Sequence, residues 1–177
     1  MNLIIKTFAV FVFFIASLNP AFSQSGKTTV DCSQILNAAM VEENCGLTGI
    51  VERVTSVERN AVNCNRVYRV GKGWGDELIF ILTPKSDASG ASSTLDWMKK
   101  EYADMGLKPL NGIGDEAFLL NFTDKLTGRN NIQLVFRKNG MVIELKTEES
   151  RSAKTPCPCY NAEKLENLAK AMALKIQ

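Results

Sequence analysis

Apolar residues recur along this chain with two different periods, and the points where one period replaces the other mark out its elements. Asp31, with Gln34 three positions later, has the spacing of a capping box and opens a helix expected to run to about Asn44, where Gly46 supplies the stop. Thr48 to Arg59 and Val62 to Val70 are rich in Val, Ile and Thr and predict two strands. The loop Gly71-Lys72-Gly73-Trp74-Gly75 leads to the unbroken run Leu78 to Leu82, which predicts a central strand covered on both faces or nearly so. Ser93 and Asp96 form a second capping box, followed by Leu95, Met98, Tyr102 and Met105 at helical spacing until Gly106. Pro109 to Gly114 is a turn-rich connector. After it, Phe118, Leu120 and Phe122 alternate with Ala117, Leu119 and Asn121 as a strand, and Gly128 sits in the next turn.

Asn139-Gly140 predicts a two-residue type I′ hairpin with positive φ at both positions and Lys138 opposite Met141. The register follows. Phe136 faces Ile143 and Leu134 faces Leu145 on a core side, while Arg137, Val135 and Gln133 oppose Val142, Glu144 and Lys146 on a mostly polar side. Asn161 caps a last helix with Leu165, Leu168, Met172 and Ile176 as its apolar stripe. Thr147 to Pro156 is polar, without an apolar period, and reads as a flexible stretch. The resulting order, α-βββ-α-βββ-α, predicts an α+β sandwich in which helices pack on an antiparallel sheet.

Composition changes the picture first at the N-terminus. Residues 1–23 hold 16 apolar residues, a single charge at Lys6 and an Ala21-Phe22-Ser23 site, the pattern of a signal peptide cleaved before Gln24. Residues 24–177 then form one domain, and no later segment has the length of a membrane span. Formal net charge is +2 for the 177 residues and +1 once Lys6 is removed, which argues against a nucleic-acid partner held by bulk electrostatics. The chain has no histidine, which removes Ser-His-Asp and Cys-His catalysis and His-ligated zinc. No cofactor motif stands out.

Export to the periplasm or the extracellular space makes disulfides the expected use of Cys32, Cys45, Cys64, Cys157 and Cys159, with one thiol left over. If Cys32 and Cys45 bracket one helix they lie roughly 20 Å apart, beyond the ~7 Å Cα limit for a bridge, and Cys157 to Cys159 closure would make a strained ring. Several schemes stay open. The preferred one pairs Cys32 with Cys64, tying the first helix to a strand, and then Cys45 with Cys157 or Cys159. Cys157-Pro158-Cys159 precedes the Asn161 cap, where a thiol pKa is lowered by a helix N-terminus, so thiol exchange through Cys157 and Cys159 stands as the alternative to structural bridging.

Other candidates are weighed against structural roles. The Gly71 to Gly75 loop joins two strands and reads as a hairpin loop, with Trp74 as a possible ligand contact. Arg66 interrupts the face of Val62, Cys64, Tyr68 and Val70, as a snorkelling edge residue or as an anion anchor in a groove. Asn111 to Glu116 reads as a solvated turn rather than a calcium loop, because Ile113 interrupts the oxygen series.

Five segments together resemble a known group. Cys32-Ser33-x-x-Leu36, Cys64, Gly112-Ile113-Gly114-Asp115-Glu116-Ala117-Phe118, Val135 to Val142 and Leu165 to Met172 are similar to small exported bacterial domains of unknown function. These include sensor-like extracellular and lipoprotein domains with a Gly-x-Gly-Asp-Glu-Ala-aromatic signature. The resemblance implies a helix lying across a curved antiparallel sheet and a bridge between Cys32 and Cys64. This chain departs from it in lacking a lipid-acceptor cysteine and in adding Cys45, Cys157 and Cys159. The expected function is a non-catalytic exported binding or sensor-like module for a small ligand or protein partner, and thiol-disulfide exchange is the alternative.

Overall fold

The computed structural model describes residues 30–55, 63–71, 76–126, 128–149 and 156–176; the expected signal peptide at 1–23 and Trp74 lie outside them. The chain forms α1 (Cys32–Ile35), α2 (Ala38–Cys45), β1 (Ile50–Val54), β2 (Cys64–Val70), β3 (Glu77–Pro84), α3 (Ala88–Glu101), a 3-10 turn (Ala103–Met105), β4 (Lys108–Leu110), β5 (Glu116–Thr123), β6 (Asn130–Lys138), β7 (Met141–Glu149) and α4 (Ala162–Ala173). The strands make one antiparallel sheet in the order β1-β2-β3-β7-β6-β5-β4. This is the expected α+β class, with one strand more than expected. Pro109 belongs to that extra strand β4, opposite Phe118, rather than to a connector. Its missing N–H is tolerated there because β4 is an edge.

Local polar groups explain two further departures. The first helix is two helices: Leu36 is extended, and Asn37 starts a second helix by accepting a hydrogen bond from the Met40 amide at 3.0 Å. Helix α3 begins before the Ser93/Asp96 box. Asp87 is the cap, its Oδ1 accepting from the Gly90 amide at 2.7 Å, and Ala91 already packs in the core. The pattern at its other end fails at Met105, which is exposed.

The β6–β7 hairpin has the expected register from Lys138–Met141 to Gln133–Lys146. Its turn differs: Asn139 has φ 54° but Gly140 is outside the left-handed region, so it is not a type I′ turn. Glycine at 140 serves close approach instead. A Cβ there would lie 3.3 Å from the Asp87 carbonyl carbon, and the Gly140 carbonyl accepts from the Lys85 amide at 2.7 Å.

Two apolar cores lie on opposite faces of the sheet. On the first face α1, α2 and α4 bury Tyr68, Leu78, Phe80, Leu82, Leu134, Phe136, Ile143 and Leu145. On the second, α3 places Ala91, Leu95 and Met98 on Phe118, Leu120, Val135 and Val142. The hairpin face expected to be mostly polar is therefore apolar beneath α3. In β3 the expected double cover is only half present, since Leu78, Phe80 and Leu82 are buried whereas Ile79 and Ile81 are half-buried.

Two disulfides fix the first helical layer. Cys32–Cys64 ties α1 to β2 with Cα atoms 5.7 Å apart, and Cys45–Cys159 ties the end of α2 to the turn before α4 at 4.6 Å. Cys157 is free and buried, which corrects its assignment to a bridge. The bridges close loops with separations of 32 and 114 residues, for which the chain-entropy model gives about 4 and 5 kcal/mol.

The Gly-x-Gly-Asp-Glu segment is a clasp rather than a solvated turn. Ile113 is buried, and the Asp115 amide donates to the Arg137 carbonyl at 2.9 Å. The Asp115 carboxylate accepts from the Asn139 amide at 2.8 Å, and Glu116 pairs with Lys99 on α3 and with Arg137 at 3.2 Å. The hydrogen bond from Lys99 is the main reason the Glu116 carboxyl is held below the usual carboxylate range. At Gly114, φ is 59° and a Cβ would overlap the Arg137 carbonyl oxygen; at Gly112, φ is 75° but a Cβ meets open space. Gly114→Ala is therefore expected to lose more than about 2 kcal/mol in denaturant unfolding and Gly112→Ala about 1 kcal/mol. Equal losses would show that the clasp is not tightly packed.

Candidate functional site

Among the described residues, helix α3 covers only the β5-β6-β7 part of the second sheet face, and no other element covers the remainder. Alternation along the strands places Val51, Val67, Ile79 and Ile81 on that open half. They are half-buried and join neither apolar core among the described residues. Charged pairs frame the strip at one end: Arg69 with Glu77, Lys146 with Glu148 at 2.6 Å, and Arg129 with Glu148 at 3.1 Å.

Between this strip and α3 runs a row of polar side chains that the sheet places where burial is costly. Asn131 is 1% exposed; its Nδ2 donates to the Arg129 carbonyl at 3.1 Å, and its Oδ1 has no partner. Gln133 is 6% exposed and donates through Nε2 to Glu144 at 3.1 Å. Glu144 lies between Val135, under α3, and Ile81, on the open strip. Among the described residues it makes no ion pair. Burial pushes its carboxyl above the usual range, against the opposing effects of the Gln133 hydrogen bond and the Lys85 and Lys146 charges. An unfilled acceptor and an unpaired carboxylate beside an apolar strip form a surface that can hold a ligand; Glu144 faces Gln133 and two lysines rather than a second acid.

The residues singled out from sequence do not assemble here. Arg66 is 7% exposed on the opposite, core face, where it pairs with Glu52 and donates to Ser33 Oγ at 3.0 Å. Its charge is used to hold α1 against β1 and β2, which replaces the groove-anchor reading. Cys159 is bridged to Cys45. The Cys157 thiol lies against the carbonyls of Glu77 and Glu148 at 3.5 and 3.6 Å, where the β3–β7 ladder ends. Burial, with smaller contributions from Asp76 and Glu149, pushes that thiol far up, the reverse of an activated nucleophile. Elsewhere, a cavity of about 310 Å³ lies between Gly112, Gly114 and the end of α4, with Lys138 and Lys170 at its edge. Lys138 is paired with Asp115 at 3.4 Å.

Asn131, Gln133 and Glu144 were missed as a group because polar residues alternating with apolar ones on a strand read as a solvated face. Only Gln133 and Glu144 were placed, by the hairpin register, on the side that proves to be shared between α3 and the open strip.

No family model matches the chain, and no curated protein does. Among solved structures, the fold is similar to the extracellular domain of PknH from Mycobacterium tuberculosis, with a TM-score of 0.58 and 8% identity over 81% of this chain and 93% of that one. At that identity the likeness is one of fold. Among the described residues, no helix is long and apolar enough to cross a membrane.

Two outcomes follow from the buried groups. In the folded protein Cys157 should resist iodoacetamide and react only after denaturation, with non-reducing peptide maps joining Cys45 to Cys159; fast native alkylation or a Cys45–Cys157 peptide would contradict the arrangement. For Glu144, a raised folded-state pKa means that the native state holds the proton more tightly than the unfolded chain. Stability is therefore lost as pH rises from the ordinary carboxylate value of about 4.3 through the raised one. Glu144→Gln should raise the thermal midpoint near neutral pH and leave it unchanged below that window, as read by calorimetry.

Proposed function

We propose that this chain is an exported, non-catalytic binding module of the sensor-like kind, and that its ligand lies on the open half of the second sheet face. The observation that carries the reading is the half-buried strip Val51, Val67, Ile79 and Ile81 bordered by buried Gln133, by Glu144, which makes no ion pair among the described residues, and by Asn131, whose Oδ1 finds no donor among them. Buried polar groups weaken a fold unless something satisfies them, and a ligand with hydrogen-bond donors does so. Export is supported by the apolar, almost uncharged residues 1–23 and by two disulfides, which persist in oxidising compartments. The PknH domain of similar fold is itself extracellular, in keeping with that placement. The depth and raised pKa of Cys157 weigh against thiol exchange.

A small-fragment screen followed by amide NMR shifts tests the site. Binders are expected to perturb Ile79, Ile81 and Glu144, and Ile81→Glu is expected to abolish those shifts with a dispersed, folded spectrum retained. Binders that cluster at the Gly112–Leu174 cavity instead, or shifts that survive Ile81→Glu, would move the site elsewhere.

A further inference from the structure

The charges on the open face identify the kind of ligand that would complete it. The Lys85 amide continues the ladder to the Gly140 carbonyl at 2.7 Å, one residue beyond Pro84, which faces Met141. Alternation therefore places Lys85 on the same face as Thr83, Ile81 and Ile79. The remaining charges near Glu144 are matched: Lys146 pairs with Glu148, and Arg69 with Glu77. Among the described residues, Lys85 and Glu144 make no ion pair, with each other or with any other group. Arg53 shares the face but is exposed at the β1 edge, and the charges that act on Glu144 are those of Lys85 and Lys146.

Lys85 and Glu144, which make no ion pair among the described residues, flank an apolar floor. A simple amine would satisfy Glu144 and leave Lys85 facing it, and a simple carboxylate would do the reverse. A molecule carrying both charges completes the two together, in a half-buried setting where screening is weaker than in bulk water.

We infer that the open face binds a small zwitterion with an apolar side chain, of the chemistry of a free aliphatic α-amino acid, its carboxylate at Lys85, its ammonium at Glu144 and its side chain across Ile79 and Ile81. This rests on the open face being the binding surface. Gln133 Nε2 donates to one carboxylate oxygen of Glu144, Oε2, at 3.1 Å.

The probes are L-leucine, isoamylamine, 4-methylvalerate and isoamyl alcohol, titrated into the mature chain and followed by the amide shifts of Ile79, Ile81 and Glu144. Leucine should saturate, with the amine and the acid each at least about tenfold weaker, equivalent to about 1.4 kcal/mol. Glu144→Gln and Lys85→Met should each weaken leucine by about tenfold or more while the weak shifts caused by isoamyl alcohol persist. If the alcohol shifts these residues as well as leucine does, the face binds ligands but the zwitterion assignment fails. If no probe shifts them, both readings fail. Leucine binding that is indifferent to both substitutions overturns the roles of Lys85 and Glu144.

Discussion

The β3–β7 ladder is the seam on which the molecule depends. It pairs Glu77 through Pro84 with Glu148 through Met141, joining two meanders that are each local in sequence. Without it β1-β2-β3 would lose its strand pairing to the part of the sheet that α3 covers. The first core, with Phe80 beside Leu145 and Leu82 beside Ile143, is continuous only because these strands meet. The open face straddles the same seam, with Ile81 on one side and Glu144 on the other. A long-range pairing of this kind closes a larger loop than a hairpin does and carries a correspondingly larger entropy cost.

The two faces of the sheet are held in different ways. Both disulfides lie in the layer of α1, α2 and α4, and Lys164 adds a 2.7 Å hydrogen bond to the Cys45 carbonyl. Helix α3 has no covalent tie. It is held by a small apolar cluster, by Gly140 against Asp87, and by Lys99 on Glu116. The Gly-x-Gly-Asp-Glu clasp thus connects the less constrained layer to the hairpin. Its acids are occupied in that task, which is why a conspicuous acidic motif contributes nothing to the candidate site.

Local structure was legible where local chemistry decides it. The β6–β7 register could be read from Asn139-Gly140 and the flanking alternation, and the last helix from its Asn161 cap and apolar stripe. Helix α3 was recognised but its start was misplaced, because Asp87 precedes a run of small residues with no apolar period. The seam was not legible: nothing in β3 specifies β7 over any other strand of matching pattern. The same gap hid the site, since Glu144 acquires its meaning only from Ile81 and Lys85 across that seam. Arg66 was noticed for the right oddity, a charge on an apolar face, yet its partners Glu52 and Ser33 come from other elements.

The position of Cys157 links the sheet to the choice of disulfide. Two cysteines separated by one proline are equivalent partners for Cys45 by local sequence. The folded arrangement distinguishes them: where Glu77 and Glu148 pair, their carbonyls lie against the Cys157 sulfur, whereas Cys159 is beside Cys45. The pairing of two strands distant in sequence and the identity of a covalent bond are thus parts of one arrangement.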